Sequence, residues 1–368
     1  MTDPESLLRQ EYVDLLAAYG VANNSFQLSS DQIKASVQEA KSKDARDGMS
    51  PRGYTRMLKA KSANDAQEYF SKLTRMAIKA SPTLNDRGIH TFTGLFPTGS
   101  INAQARTAEN GYLILINTGL VGFFQQFIGI LVRYAAVQDR LFNDNFVRQP
   151  TERLDRNTVI NIYGELITGF LTGRPLSWRA DTYLFTGGLL GTIFHILNTE
   201  CLLFVHAHEH AHVVLGHLGA ASEMKARSTP VGNVDFIAKN WSDELSADYI
   251  GTYIKVLVTH MTSNNPNPEA LGEMAKWIYA GISLFFCIDG IITKATERIL
   301  QHLNIAVPVI TDHPPADRRM KEVRRYFVEG QANDAVFEVG NDLVQPFEQI
   351  EDAVINSIVS RVGASVSA

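Results

Sequence analysis

The sequence predicts a helix-rich α+β protein, and three observations carry that expectation. Apolar residues recur at helical spacing near the N-terminus, β-like runs punctuated by glycine follow from His90, and a long apolar periodic segment extends from Leu189 to Leu218.

The first eighty residues read as helical and polar. Ser50-Pro51 has the form of an N-cap followed by proline at the first helical position, and Ala66, Tyr69, Phe70, Leu73, Met76 and Ala77 share one helix face until Ser81-Pro82 ends the pattern. Three short strands follow: His90-Thr-Phe-Thr-Gly, Ser100-Ile-Asn-Ala-Gln-Ala-Arg-Thr and Gly111-Tyr-Leu-Ile-Leu-Ile-Asn. Thr118 to Val137 reads as a helix, and Phe142 to Arg156 as a polar loop. Gly173-Arg-Pro and Gly187-Gly mark breaks, the segment Leu189 to Leu218 is a buried helix or helix pair, and Asn264-Asn-Pro-Asn-Pro is a surface turn. The run from Trp277 to Cys287 reads as a core helix. We expect a helical region over 1–82, a catalytic domain over 83–330 and a helical extension over 331–368.

Composition narrows the function classes. A net charge of −5 from 34 basic and 39 acidic residues, mixed along the chain, leaves no electrostatic footprint for nucleic acid. Cys201 and Cys287 lie in apolar surroundings, too few for a disulfide-stapled secreted protein, and the first residues show neither a basic leader nor an apolar run. A cytoplasmic location is the expectation. The apolar stretches Tyr112–Val132 and Trp277–Ile292 are broken by polar residues or short, so both read as core elements rather than membrane spans.

The chemistry concentrates in Phe204-Val-His206-Ala-His208-Glu209-His210-Ala-His212-Val-Val-Leu-Gly-His217. On a helix His208 and His212 lie about 40° apart and can converge on one tetrahedral ion, with Glu209 one step round to take a proton from water. His206-x-x-Glu209-His210 matches the reversed motif, with its histidines on the opposite side of the helix. Only one pair can face a cleft. Downstream, Glu244 and Asp248 share a helix face, so a second helix can bring Glu244 to the ion as third ligand and Asp248 to a ligand histidine. His206 and His210 read as hydrogen-bonded structural residues, and His217 as a helix-terminal histidine completing backbone carbonyls.

His208-Glu-His-Ala-His212-Val-Val-Leu-Gly-His217 together with Glu244-Leu-Ser-Ala-Asp248-Tyr-Ile-Gly251 resembles the gluzincin peptidases, particularly the group with the heat-shock membrane protease HtpX and the prenyl-protein proteases. Ile101-Asn-Ala-Gln-Ala with Tyr112-Leu-Ile-Leu-Ile-Asn-Thr-Gly119-Leu120 resembles the paired strands and helix start upstream of that group's motif. His313-Pro-Pro-Ala-Asp-Arg318-Arg319 resembles its downstream segment. The interval between Gly119-Leu120 and His208 is longer than in that group, and its membrane helices are not evident.

The resemblance implies a zincin-like fold, with a short mixed sheet flanking two metal-bearing helices and extra helices at both ends. It implies Zn2+ held by His208, His212 and Glu244, Glu209 as general base, and Asp248 orienting His208. It further implies that His313 and Arg319, or Arg318, steady the oxyanion. The expected activity is hydrolysis of protein or peptide substrates bound extended along the sheet edge. Two other classes are a catalytically silent zinc-containing regulatory module and a helical interaction protein with coincidental histidines.

Overall fold

The structure, a computed structural model, describes residues 3–20, 63–84, 89–97, 102–137, 154–173, 188–218, 224–229, 232–237, 241–263, 267–305 and 314–366. The expected Ser50-Pro51 helix start, most of the Phe142–Arg156 loop and His313 lie outside them. Within them the chain is α+β and helix-rich. The elements are α1 (Pro4–Ala18), α2 (Ala63–Ala80), β1 (Thr91–Phe96), β2 (Ala103–Ala108), β3 (Gly111–Asn117), α3 (Thr118–Val137) and α4 (Arg156–Leu171). They continue with α5 (Gly188–Val214), β4 (Met224–Thr229), β5 (Gly232–Ile237), α6 (Trp241–Thr262), α7 (Pro268–His302), α8 (Ala316–Glu329), α9 (Ala335–Glu348) and α10 (Glu351–Val366).

A small mixed sheet has the order β1-β3-β2, with β1 parallel and β2 antiparallel to β3. Both faces of β3 are buried, which explains its unbroken run Leu-Ile-Leu-Ile. Its period of two divides that run: Ile114 and Ile116 join the main core, while Leu113 and Leu115 join Phe92, Phe96 and the α1 residues Leu8, Tyr12 and Leu16 in a separate cluster. Helix α1 is also tied to the sheet by Glu11, whose carboxylate accepts the backbone N–H groups of Glu109 and Asn110 in the β2–β3 turn. The stretch Tyr112–Val132 therefore divides at Asn117 into a strand and a helix.

Leu189 to Leu218 forms one helix rather than a pair, α5 ending at Val214. Every residue from Cys201 to Val213 is buried, because α2, α3, α6, α7, β2 and β3 all pack on it. Its apolar residues pack into this core on every side, and its buried histidines and Glu209 find polar partners there. Its principal neighbour is α6, held to it by an ion pair between the buried Lys255 and the partly buried Glu200. Helix α7 begins with Asn267 capping the Ala270 N–H and Pro268 in the first turn, and it carries Trp277–Cys287 at its centre. By length and composition Leu190–Val214 and Glu269–His302 are each sufficient to cross a membrane, and 72% and 56% of their apolar windows are buried within the fold. Helices α9 and α10 pack on α7, α3 and α4, and α8 packs on α6 and α7. The β4–β5 hairpin was not among the expected elements.

Candidate metal centre

Helices α5 and α6 approach so closely that a Cβ on Gly251 would lie 3.0 Å from the Cα and N of His208. This glycine allows the two backbones to meet one turn beyond Asp248, and it sets the distance at which α6 presents its acids to α5. A methyl group there pushes against backbone atoms, which have little room to yield. Gly251→Ala is expected to weaken divalent-metal binding by about tenfold, read by competition with a chromophoric chelator. Unchanged affinity would show that the helix separation is not critical.

At this junction His208 Nε2 lies 3.0 Å from His212 Nε2 and 3.5 Å from Glu244 Oε2, and His212 Nε2 lies 3.3 Å from Glu244 Oε1. Among the described residues this is the only group of three possible ligands with mutually adjacent donor atoms. Bonds of roughly 2.0–2.1 Å to a tetrahedral ion require donors roughly 3.3–3.4 Å apart, so the triangle fits one small cation. Two imidazole lone pairs directed at one point repel unless a proton or a cation sits between them. All three residues are buried. The set matches the expected ligands, and it comes from two helices, as expected.

Asp248 Oδ1 stands 2.9 Å from Nδ1 of His208 and so turns Nε2 toward the triangle. Arg319, on α8, donates to both oxygens of Asp248, from Nε at 2.7 Å and from a terminal nitrogen at 2.8 Å, and the same terminal nitrogen lies 3.4 Å from Glu244 Oε2. Arg319 is buried, with its guanidinium also 4.9 Å from the Phe286 ring centroid. It stands behind the ligands as a brace on their carboxylates. Arg318 instead lies over Trp241 at the start of α6.

The electrostatics follow from this packing. Burial opposes charge on His208, but the hydrogen bonds and charges of Asp248 and Glu244 prevail and push its pKa up to about 9 in the metal-free protein. Burial likewise opposes ionisation of Asp248. The Arg319 charge, with hydrogen bonds from His208 and Arg319, still holds its carboxyl below the usual range.

No family model, curated protein or solved structure matches the chain. The site is therefore read from its own geometry.

Glu209 is buried beside His208, and its Oε2 accepts the backbone N–H of Ala105 on β2 at 2.7 Å. Pairing along β2 leaves that N–H pointing away from β3, toward α5. The spacing of the motif could not reveal this contact, because a backbone donor leaves no mark in composition.

His206 and His210 occupy the other side of α5. His206 Nε2 donates to Gln67 Oε1 at 2.7 Å, and His210 Nδ1 donates to the His206 carbonyl at 2.8 Å. His210 Nε2 faces the hydroxyls of Ser71 and Thr91 at 3.5 and 3.4 Å. The reversed motif is thus spent on packing against α2 and β1. A cavity of about 380 Å³ lies on this side, lined by His210, Arg75 and Lys79 among others and by none of the three candidate ligands.

Burial lowers the pKa of His206 to about 3, assisted by His210, and that of His210 to about 4, against the opposing hydrogen bond to the His206 carbonyl. In the unfolded chain both take protons near pH 6.5. Above that pH they are neutral in both states and contribute nothing to pH dependence. As pH falls below about 6.5 only the unfolded chain gains the proton, so stability drops by about 1.4 kcal/mol per pH unit for each residue until the folded pKa is reached. We expect His210→Gln to flatten the loss of urea stability between pH 6.5 and 5 by about that slope. Parallel curves for variant and wild type would refute the buried-neutral assignment.

Proposed function

We propose that this chain is a zinc-dependent peptidase of gluzincin type, with a zincin-like catalytic region. The observation that carries this reading is the triangle of His208, His212 and Glu244 donors with the Glu209 carboxylate on the same helix. A structural zinc site has no use for an acid in that place and ordinarily closes its fourth position with protein. Zinc held by these three residues would polarise a scissile carbonyl and lower the pKa of a water from about 15.7 towards 7.

The protein's own groups supply the remainder. Glu209 takes a proton from the attacking water and returns it to the leaving amine. Ala105 holds the Glu209 carboxylate in place through its N–H. Asp248 fixes the His208 tautomer, and Arg319 keeps Asp248 ionised and holds the Asp248 and Glu244 carboxylates in place. An extended protein or peptide substrate would pair with the edge of β2 beyond Ala105, whose N–H is held by Glu209; among the described residues β3 is the strand on its other side.

Zinc stoichiometry and cleavage of an unfolded protein such as casein, measured on the same preparation, test the proposal. One zinc per chain with cleavage is the expected result. Zinc without cleavage would leave a silent metal-stabilised module, and absence of zinc would leave a helical protein with coincidental histidines.

A further inference from the structure

His217 lies beyond the end of α5, and the chain brings it back under the helix. Gly216 adopts φ +74, a left-handed conformation suited to glycine, and the His217 N–H donates to the His212 carbonyl at 3.0 Å. This turn sets the His217 ring against the His212 ring at 66°, with the two Nδ1 atoms 2.9 Å apart. On its far side His217 Nε2 lies 3.7 Å from Asp243 Oδ1, at the start of α6 and adjacent to Glu244.

We propose that His217 is a positioning residue that locks His212 in the tautomer a metal ligand requires, with Asp243 selecting the tautomer of His217. The inference rests on the metal-binding reading above. Two facing Nδ1 atoms share one proton. If His217 carries it, neutral His212 must carry its own proton on Nε2, which then points into the ligand triangle and cannot ligate. With the proton on His212, Nε2 presents a lone pair to the ion. The carboxylate of Asp243 favours an N–H on Nε2 of neutral His217, which makes its Nδ1 the acceptor and places the shared proton on His212. His208 is oriented directly by the buried Asp248, whereas His212 is oriented through an intervening imidazole. Because Asp243 and Glu244 are consecutive, one turn of α6 delivers both the third ligand and the far end of this relay.

The test is the affinity of the full chain for Zn2+, read by chelator competition, with the visible spectrum of the Co2+ form as a second readout. His217→Leu keeps bulk and removes the acceptor. His217→Asn places a carbonyl oxygen where Nδ1 stood. We expect His217→Leu to raise the zinc Kd by about 10–100-fold and to alter the Co2+ spectrum, and His217→Asn to stay within about threefold of wild type. Asp243→Ala, at a partly exposed position with little bearing on folding, is expected to weaken zinc in the same direction. The inference is overturned if His217→Leu and Asp243→Ala bind zinc as wild type does, or if His217→Asn binds as weakly as His217→Leu. A wild-type chain that binds no zinc overturns this inference and the metal reading together, whereas wild-type binding indifferent to residue 217 overturns this inference alone.

Discussion

Glu209→Gln is expected to reduce casein cleavage by about 10²–10⁴-fold while one zinc remains bound, since positioned acid–base catalysis contributes that much. The substitution preserves shape, and the new carbonyl oxygen can still accept the Ala105 N–H. It removes only the capacity to take a proton. The ligand triangle is formed by other side chains, so metal content should not follow activity down. Stability should hold as well, because a buried carboxylate gives way to a neutral amide that costs less to desolvate. Cleavage persisting in this variant at wild-type rate would remove Glu209 from the mechanism.

Arg319→Met is expected to destabilise the fold by about 3–5 kcal/mol, because removing one partner of a buried ion pair leaves uncompensated charge behind. Two carboxylates are left behind and the protonated His208 offsets one of them, so one buried negative charge stays unmatched. Asp248 and Glu244 are both buried, and Arg319 contacts both. Arg319→Lys should recover little, since one ammonium cannot reproduce two parallel donations to Asp248. Urea unfolding of the metal-free protein measures the effect. A loss below about 1 kcal/mol would mean that water reaches the carboxylates, and that Arg319 is no brace.

The legible parts of this molecule are those written in short-range periodicity. Leu113 to Ile116 announces a strand through β-branched and apolar residues, and α5 announces itself through its length and its recurrent apolar positions. The spacing of His208 and His212 and of Glu244 and Asp248 indicated two helix faces, and the fold brings those faces together. The sequence already sets His206 and His210 aside as hydrogen-bonded structural residues, but it does not show what packs on their side of α5. The partners of the losing pair, Gln67, Ser71 and Thr91, are ordinary polar residues far away in sequence. Arg319 illustrates the same limit: its place in the motif pointed toward the cleft, and only packing against α6 shows its guanidinium engaged by Asp248. The β4–β5 hairpin escaped because Val234 and Phe236 alternate with polar residues over too short a run to stand out. His217 and its contact with His212 depend on a local turn of reversed handedness at Gly216, whose sequence trace is one glycine at the helix end and which says nothing of the ring contact it creates.

The burial of Cys201 to Val213 bears on traffic to the centre. A helix enclosed on every side cannot swing aside to admit anything, and its crossing with α6 is fixed by Gly251 and the Lys255–Glu200 pair. Access to the centre therefore falls to the periphery, where β2 lies against Glu209 and, among the described residues, has a partner strand along one edge.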